Sequence, residues 1–345
     1  MNSLFPFDLL TLYLLTKNMK HWISAARPRT LPLALSSILM GSFLAVGSHA
    51  FSWTIFGLAV LTTTFLQILS NFANDYGDTV SGVDTVERTV ATRAVQTGAI
   101  TRQQMTRAII LMSTLSFISG SLLIFKGLEN TSIQTVLTFF GIGILAIIAA
   151  ITYTVGKRPY GYMGFGDISV LIFFGWVGVL GTYYLHTHEF NWLNLLPATS
   201  CGLFAVGVLN INNIRDIDSD IKTGKNSIPV RLGKDKAVVY HWFLLIGGFV
   251  CAVIYAFLVS MKETSNYNLS LRYQNDDFPI QLNTGEQHFS LVWLNWLFII
   301  TLPLLIKIGK GVQNGKNPAQ IDPFLKVMAL TTLLFVITFG IGQVF

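Results

Sequence analysis

Nine apolar runs, each close to the length of a bilayer-crossing helix, leave this chain few folds to choose from. They cover residues 31–49, 52–72, 105–125, 133–154, 168–186, 192–211, 238–260, 289–308 and 323–344. A helix needs about 20 mostly apolar residues to cross the hydrocarbon core. Backbone polar groups find no water there, so only helices and closed barrels span it. Runs of this length are helices. Composition agrees: 52% of the residues are hydrophobic and 12% are charged, against about 25% charged in a typical soluble domain. The expected fold is an all-α membrane protein with nine transmembrane helices in a lipid bilayer.

The basic residues set the orientation. With the N-terminus in the cytoplasm, all of the 23 Lys and Arg except Lys126, Lys262 and Arg272 lie on the cytoplasmic side. Insertion favours that bias. The same distribution accounts for the net charge of +6 without a nucleic-acid partner. Segment 261–288 becomes an external loop that reads as a solvated connector. Residues 1–20 read as an N-terminal extension of interfacial character, ahead of one domain over 21–345. No basic region precedes the apolar stretch "LFPFDLLTLYLL" and no small-residue cleavage site is clear, so a signal peptide is not expected. Met19 opens a sensible chain as well as Met1 does. Cys201 and Cys251 lie in apolar runs and read as buried free thiols.

Two polar stretches break this pattern. "NFANDYGDTVSGVD" (71–84) follows the second run and "NINNIRDIDSDIKTGKNSIPVRLG" (210–233) follows the sixth, on the same membrane side. Asn74 and Asp78 stand four apart, with Asp84 six further on; Asn212, Asp216 and Asp220 stand at i, i+4 and i+8. Residues four apart share a helix face. Each stretch thus presents an amide oxygen and carboxylates toward a common point, and their placement four runs apart suggests a repeat of four-helix units. One Asp at a helix end is commonly a cap or a solvated charge. Two matched clusters need another explanation. Asp75 and Asp218 face away from the stripes and are the members best given to loop ion pairs. Asn71, four before Asp75, leaves the first stripe ambiguous by one register.

Clustered carboxylates raise each other's pKa and destabilise a fold, and near a membrane each is costly. A divalent cation removes both penalties. Oxygen-only ligands favour Mg²⁺ or Ca²⁺, and Mg²⁺ is commonly held by few carboxylates plus substrate phosphates. Arg27, Arg88, Arg93, Lys157, Arg158, Arg215 and Lys225 lie close by in sequence or topology. Metal-holding carboxylates beside phosphate-holding cations describe a diphosphate site. An opening into lipid would suit a substrate with a long apolar tail.

These motifs resemble those of the UbiA superfamily of membrane prenyltransferases, and the resemblance runs from Trp22 to the last helix. "NDYGDTVSGVD" and "NNIRDIDSD" match its two aspartate-rich motifs. Within the superfamily the chain looks most like the branch acting on 1,4-dihydroxy-2-naphthoate. The features are the opening "ARPRTLPLALSSILMGS", the wide spacing of Asp84 from Asp78 around Gly82, and the loop "YTVGKRPYGYMGFGD".

The resemblance implies a UbiA-type nine-helix bundle and Mg²⁺-dependent transfer from a polyprenyl diphosphate to the naphthoate, with loss of CO₂ and diphosphate. Two Mg²⁺ ions, bridged by the diphosphate, would be held by Asn74, Asp78 and Asp84 and by Asn212, Asp216 and Asp220. Arg27, Lys157, Arg215 and Lys225, with Arg93 as a further member, would contact diphosphate oxygens. Arg88 reads equally as a solvated loop charge. Tyr153 would set its ring against the allylic cation, or be an interfacial tyrosine. Asp167 would orient or deprotonate the acceptor, or cap its helix. Asp78 and Asp216 would be indispensable. The implied location is the bacterial cytoplasmic membrane, with the site facing the cytoplasm. The same chemistry on 4-hydroxybenzoate or homogentisate is the nearest alternative. A cation-coupled transporter is a remote one, because the acids sit at helix ends rather than at mid-span.

Overall fold

The computed structural model describes residues 19–82, 93–274 and 292–344, all of them helix or connecting loop. Among these residues, nine helices are long and apolar enough to cross a membrane: α1 Met19–Gly47, α2 Trp53–Val80, α3 Arg102–Gly127, α4 Ile133–Thr152, α5 Gly166–Thr187, α6 Trp192–Arg215, α7 Lys234–Lys262, α8 Trp293–Asn314 and α9 Pro318–Val344. The chain is a multi-pass membrane protein. Of the expected extension over residues 1–20, residues 1–18 lie outside the described residues, and residues 19–20 begin α1.

Local chemistry sets several boundaries. Thr101 and Gln104 form a reciprocal capping box at the start of α3, which satisfies two otherwise orphaned groups. Ser132 and Ser52 cap α4 and α2. Within α1 the helix pauses at Arg27, whose backbone sits at φ 49, ψ 64 before Pro28. A left-handed non-glycine residue is strained, and it stands here at the mouth of the site.

Three expectations need correction. The helix of α2 does not end near residue 72 but continues to Val80, so Asn74 and Asp78 of the first acidic motif are helical. A count of apolar residues finds where hydrocarbon ends, not where hydrogen bonding ends. The second stripe is not one straight helix: the α6 helix closes at Arg215, Asp216 is its cap, and a separate turn runs over Ile217–Lys222. The helix of α7 continues to Gln274, so half of the expected external loop is helical; residues 275–291 lie outside the described residues.

The core joins α1 and α5–α9. It includes Met40, Val179, Phe204, Leu245, Phe298, Phe335 and Phe339. Phe204 meets Phe335 edge to face, with centroids 4.9 Å apart, a preferred geometry for aromatic pairs. Small residues let backbones approach where α5 crosses α6: a Cβ on Gly175 would stand 2.8 Å from the Ala198 carbonyl oxygen, the usual role of glycine between membrane helices. By contrast α4 buries no residue. It leans on α2 and α3 and shows Ile133, Leu137, Leu145 and Ile148 to the outside, as a lipid-facing helix does. Asn74, Asp75 and Asp78 of the first motif and Asn212, Asn213 and Arg215 of the second line one chamber.

Candidate active site

The first motif is organised by what each polar side chain touches. Asn71 donates to the Ala26 carbonyl at 2.8 Å and to Thr30 Oγ1 at 3.0 Å. It ties α2 to the pause in α1. Asp75 accepts from the backbone N–H groups of Ala94 and Val95, both at 3.3 Å, and pins the 93–100 loop under the site. Asp78, one turn on, takes an ion pair from Arg93 and a hydrogen bond from the Tyr162 hydroxyl. Arg93 also donates to the Asn74 carbonyl at 2.6 Å. Thr154 Oγ1 donates to Asn74 Oδ1 at 3.1 Å and to the Ala73 carbonyl at 2.9 Å. Gly77 permits this: a Cβ there would stand 2.5 Å from the Thr154 carbonyl oxygen. Asp84 and Arg88 lie outside the described residues.

The second motif is organised by Arg215. Its guanidinium holds Asp216 through two bonds of 2.7 Å and Asn212 Oδ1 at 2.8 Å. Lys225 pairs with Asp220 at 3.0 Å and reaches Asn213 Oδ1 at 3.4 Å. Asp216 and Asp220 are buried, whereas Asp218 is exposed. Each motif therefore has cationic side chains set against its carboxylates, which keeps buried acids from standing unpaired.

Asn74, Asp75, Asp78, Arg93, Thr154 and Tyr162 from the first side, and Asn212, Asn213, Arg215 and Lys225 from the second, line a polar chamber of about 500 Å³ with Arg27, Arg29 and Tyr153, while Asp216 and Asp220 pair with Arg215 and Lys225 and are not in its lining. An apolar groove of about 650 Å³ adjoins it, running between α2, α4 and α5. Asn74, Tyr153 and Leu209 line both. The groove wall on α4 is made of Ile142, Gly143, Ala146, Ala149 and Ala150. A Cβ on Gly143 would meet nothing within 4 Å, so this small-residue run leaves open space rather than serving close helix packing.

Tyr153 sits at the junction because glycines admit it: a Cβ on Gly166 would stand 2.7 Å from its hydroxyl, and one on Gly161 would stand 2.9 Å from its ring. Tyr160 meets its ring edge-on at 5.4 Å. Burial, and next the Asp167 carboxylate, raise the Tyr153 phenol well above its ordinary pKa. Burial and Asp78 do the same for Tyr162. Both remain protonated phenols, and Tyr162 remains a donor to Asp78.

Of the other sequence-derived residues, Lys157 is exposed and outside the chamber lining. Asp167 is buried, accepts from the Tyr240 hydroxyl at 3.0 Å, and lines neither cavity. Sequence reasoning missed Tyr162, Asn213 and Thr154. The loop holding Tyr162 and Thr154 was legible as a unit, but nothing in its spacing says which side chain reaches across to α2.

The donor set suits a hard cation. Asn74, Asp78, Asn212, Asp216 and Asp220 offer only oxygen. Among the described residues no three acidic, imidazole or thiol groups converge as a ready-made metal centre. Mg²⁺ is commonly held by one or two carboxylates plus substrate phosphates rather than by an all-protein cage.

Comparison with known proteins agrees with this geometry. Residues 34–268 match the UbiA prenyltransferase family. The chain is 44% identical over 331 residues to the 1,4-dihydroxy-2-naphthoate octaprenyltransferase of Haemophilus influenzae, covering 95% of this chain and 97% of that one. It is 43% identical over 331 residues to the Escherichia coli protein of the same name, covering 93% and 96%. Its fold is similar to a UbiA homologue from Archaeoglobus fulgidus bound to GPP and Mg²⁺, with TM-score 0.56, 14% identity, and coverage of 94% and 99%; that likeness concerns the fold alone. A helical membrane bundle with a polar chamber feeding an apolar groove is the build of a lipid-substrate transferase. The chain belongs to the UbiA prenyltransferase family and is a prenyltransferase.

Proposed function

We propose that this protein transfers a polyprenyl group from polyprenyl diphosphate to 1,4-dihydroxy-2-naphthoate, releasing diphosphate and CO₂. The product is demethylmenaquinone in its quinol form, a step of menaquinone biosynthesis. The observation that carries the reading is the shared lining of the two cavities at Tyr153, Asn74 and Leu209. A diphosphate in the polar chamber and a prenyl tail in the apolar groove would meet there, at the bond to be broken.

Arg27, Arg93, Arg215 and Lys225 are the cations for the diphosphate oxygens. They stabilise negative charge as the C–O bond opens. Two Mg²⁺ ions, one per motif on Asn74 and Asp78 and on Asn212, Asp216 and Asp220, would supply further charge neutralisation of the leaving diphosphate. Positive charge then grows on the first prenyl carbon beside Tyr153, whose neutral ring presents an electron-rich face. The apolar groove keeps water from that carbon. The naphthoate ring carbon bearing the carboxylate forms the new C–C bond. Its C–COO⁻ bond then breaks, and the electron pair restores the aromatic ring as CO₂ departs. Carbon dioxide leaves where other aromatic acceptors lose a proton, so no base is needed at that carbon. Asp167 reads as a partner of Tyr240 that shapes the Tyr153 pocket.

The basic loops support an orientation with the N-terminus and the chamber on the cytoplasmic side, in a bacterial inner membrane. The test is acceptor choice. Detergent-purified protein with Mg²⁺ and polyprenyl diphosphate is offered the naphthoate and 4-hydroxybenzoate in separate reactions. Prenylated product from the naphthoate alone is expected. Product from 4-hydroxybenzoate alone would overturn the acceptor assignment.

A further inference from the structure

Arg215 holds more than its own motif. Besides Asp216 and Asn212, its Nη1 donates to Asp322 Oδ1 at 2.5 Å. Asp322 is in neither acidic stretch; it lies between the turn Pro318–Ile321 and the main helix Pro323–Val344. The Arg215 side chain is 3% exposed and that of Asp322 is 25% exposed. One buried guanidinium thus links two of the three proposed metal ligands of the second motif, Asn212 and Asp216, to a carboxylate at the rim.

The arrangement has a consequence for cation binding. In it Arg215 occupies both oxygens of Asp216 and the amide oxygen of Asn212. Those are the oxygens a cation needs. A cation binding there competes with Arg215 for Asp216 and Asn212, and a guanidinium that loses them would stand buried beside a divalent charge without its carboxylate. A buried charge that loses its partner is strongly disfavoured. Asp322 offers a second anionic seat that touches Arg215 from its other side and belongs to a different segment of the chain. We infer that Asp322 is a positioning residue: it retains Arg215 while Asp216 and Asn212 turn to the cation, and it keeps the guanidinium in the chamber for the diphosphate. This rests on the reading of the second motif as a Mg²⁺ site.

The test measures cation binding apart from turnover. Wild-type protein in detergent is stripped of divalent cations and melted with inorganic pyrophosphate over a series of Mg²⁺ concentrations. The midpoint of Mg²⁺ stabilisation is compared with those of Asp322→Asn and Asp322→Glu. Asp322→Asn is expected to need about tenfold more Mg²⁺, within the usual range of coupling between sites. Asp322→Glu is expected to restore the wild-type midpoint. A purely structural acid at a helix start would lower the melting temperature without Mg²⁺ and leave the midpoint where it was. That result overturns the inference, as does a Glu variant shifted as far as the Asn variant. Should Asp322→Asn not fold, Asp322→Ser removes the charge while keeping a helix-capping hydroxyl and is read the same way. A wild-type protein that Mg²⁺ with pyrophosphate does not stabilise would overturn both the inference and the metal reading beneath it; a responsive wild type with an unmoved Asp322→Asn midpoint overturns the inference alone.

Discussion

In the proposed mechanism the chemistry turns on Tyr153, the aromatic residue among the three that line both the polar chamber and the apolar groove. Its contribution comes from the ring. The buried phenol stays protonated, so it is not available as a base at physiological pH. Tyr153→Phe is therefore expected to keep kcat within about threefold. Tyr153→Leu keeps a comparable apolar bulk but loses the π face, and is expected to cost about tenfold or more, the scale of a desolvated cation–π contact. Steady-state kinetics on the two variants checks this. Equal losses in both would assign the role to the hydroxyl instead. In the same proposal Asp78 and Asp216 serve the leaving diphosphate as Mg²⁺ ligands. Replacing either by Ala is expected to remove prenyl transfer, at least about 100-fold, while circular dichroism still reports a folded helical bundle.

At the scale of elements, α4 and the loop after it do two different jobs with small residues. Gly77 on α2 accepts the close passage of Thr154, whereas Gly143 on α4 faces open groove. Gly143→Phe is thus expected to fold normally and to obstruct the tail. Its specificity constant should fall about tenfold or more with a polyprenyl diphosphate, a steric discrimination of ordinary size, and change little with a five-carbon donor. Competition between the two donors measures it directly. The nine crossing helices were legible in the sequence because hydropathy reports burial in lipid. Their ends were not. The helix of α2 runs on through Asn74 and Asp78, and that of α7 through residues 261–274, because helical hydrogen bonding continues after the apolar pattern stops. The paired acids were legible for their matched spacing. Tyr162 and Asp322 were not: each is a lone polar residue in a connection, and only tertiary packing brings it to Asp78 or Arg215. The bend at Asp216 was hidden for the same reason, since i+4 spacing cannot report a cap in the middle of a stripe.

For the whole molecule, the asymmetry of the bundle matters more than its helix count. The packed core of α1 and α5–α9 carries the second motif. On the α2–α4 side, α4 buries no residue, and it forms one wall of the groove. A substrate with one end in water and the other in lipid needs both kinds of wall. The proposed orientation is checked by labelling from one side: a cysteine at Thr97, next to the first motif, is expected to react with an impermeant maleimide only after the inner face is exposed. A cysteine at Glu129, in the α3–α4 connection, is expected to react in intact cells. The reverse pattern would invert the protein and move its site to the outer face. The most direct test of the central claim uses naphthoate labelled in its carboxylate carbon. With Mg²⁺ and polyprenyl diphosphate, one labelled CO₂ should appear for each prenylated product, and the product should carry no label. Prenylated product that keeps the labelled carbon, or CO₂ released without prenyl transfer, would contradict the account.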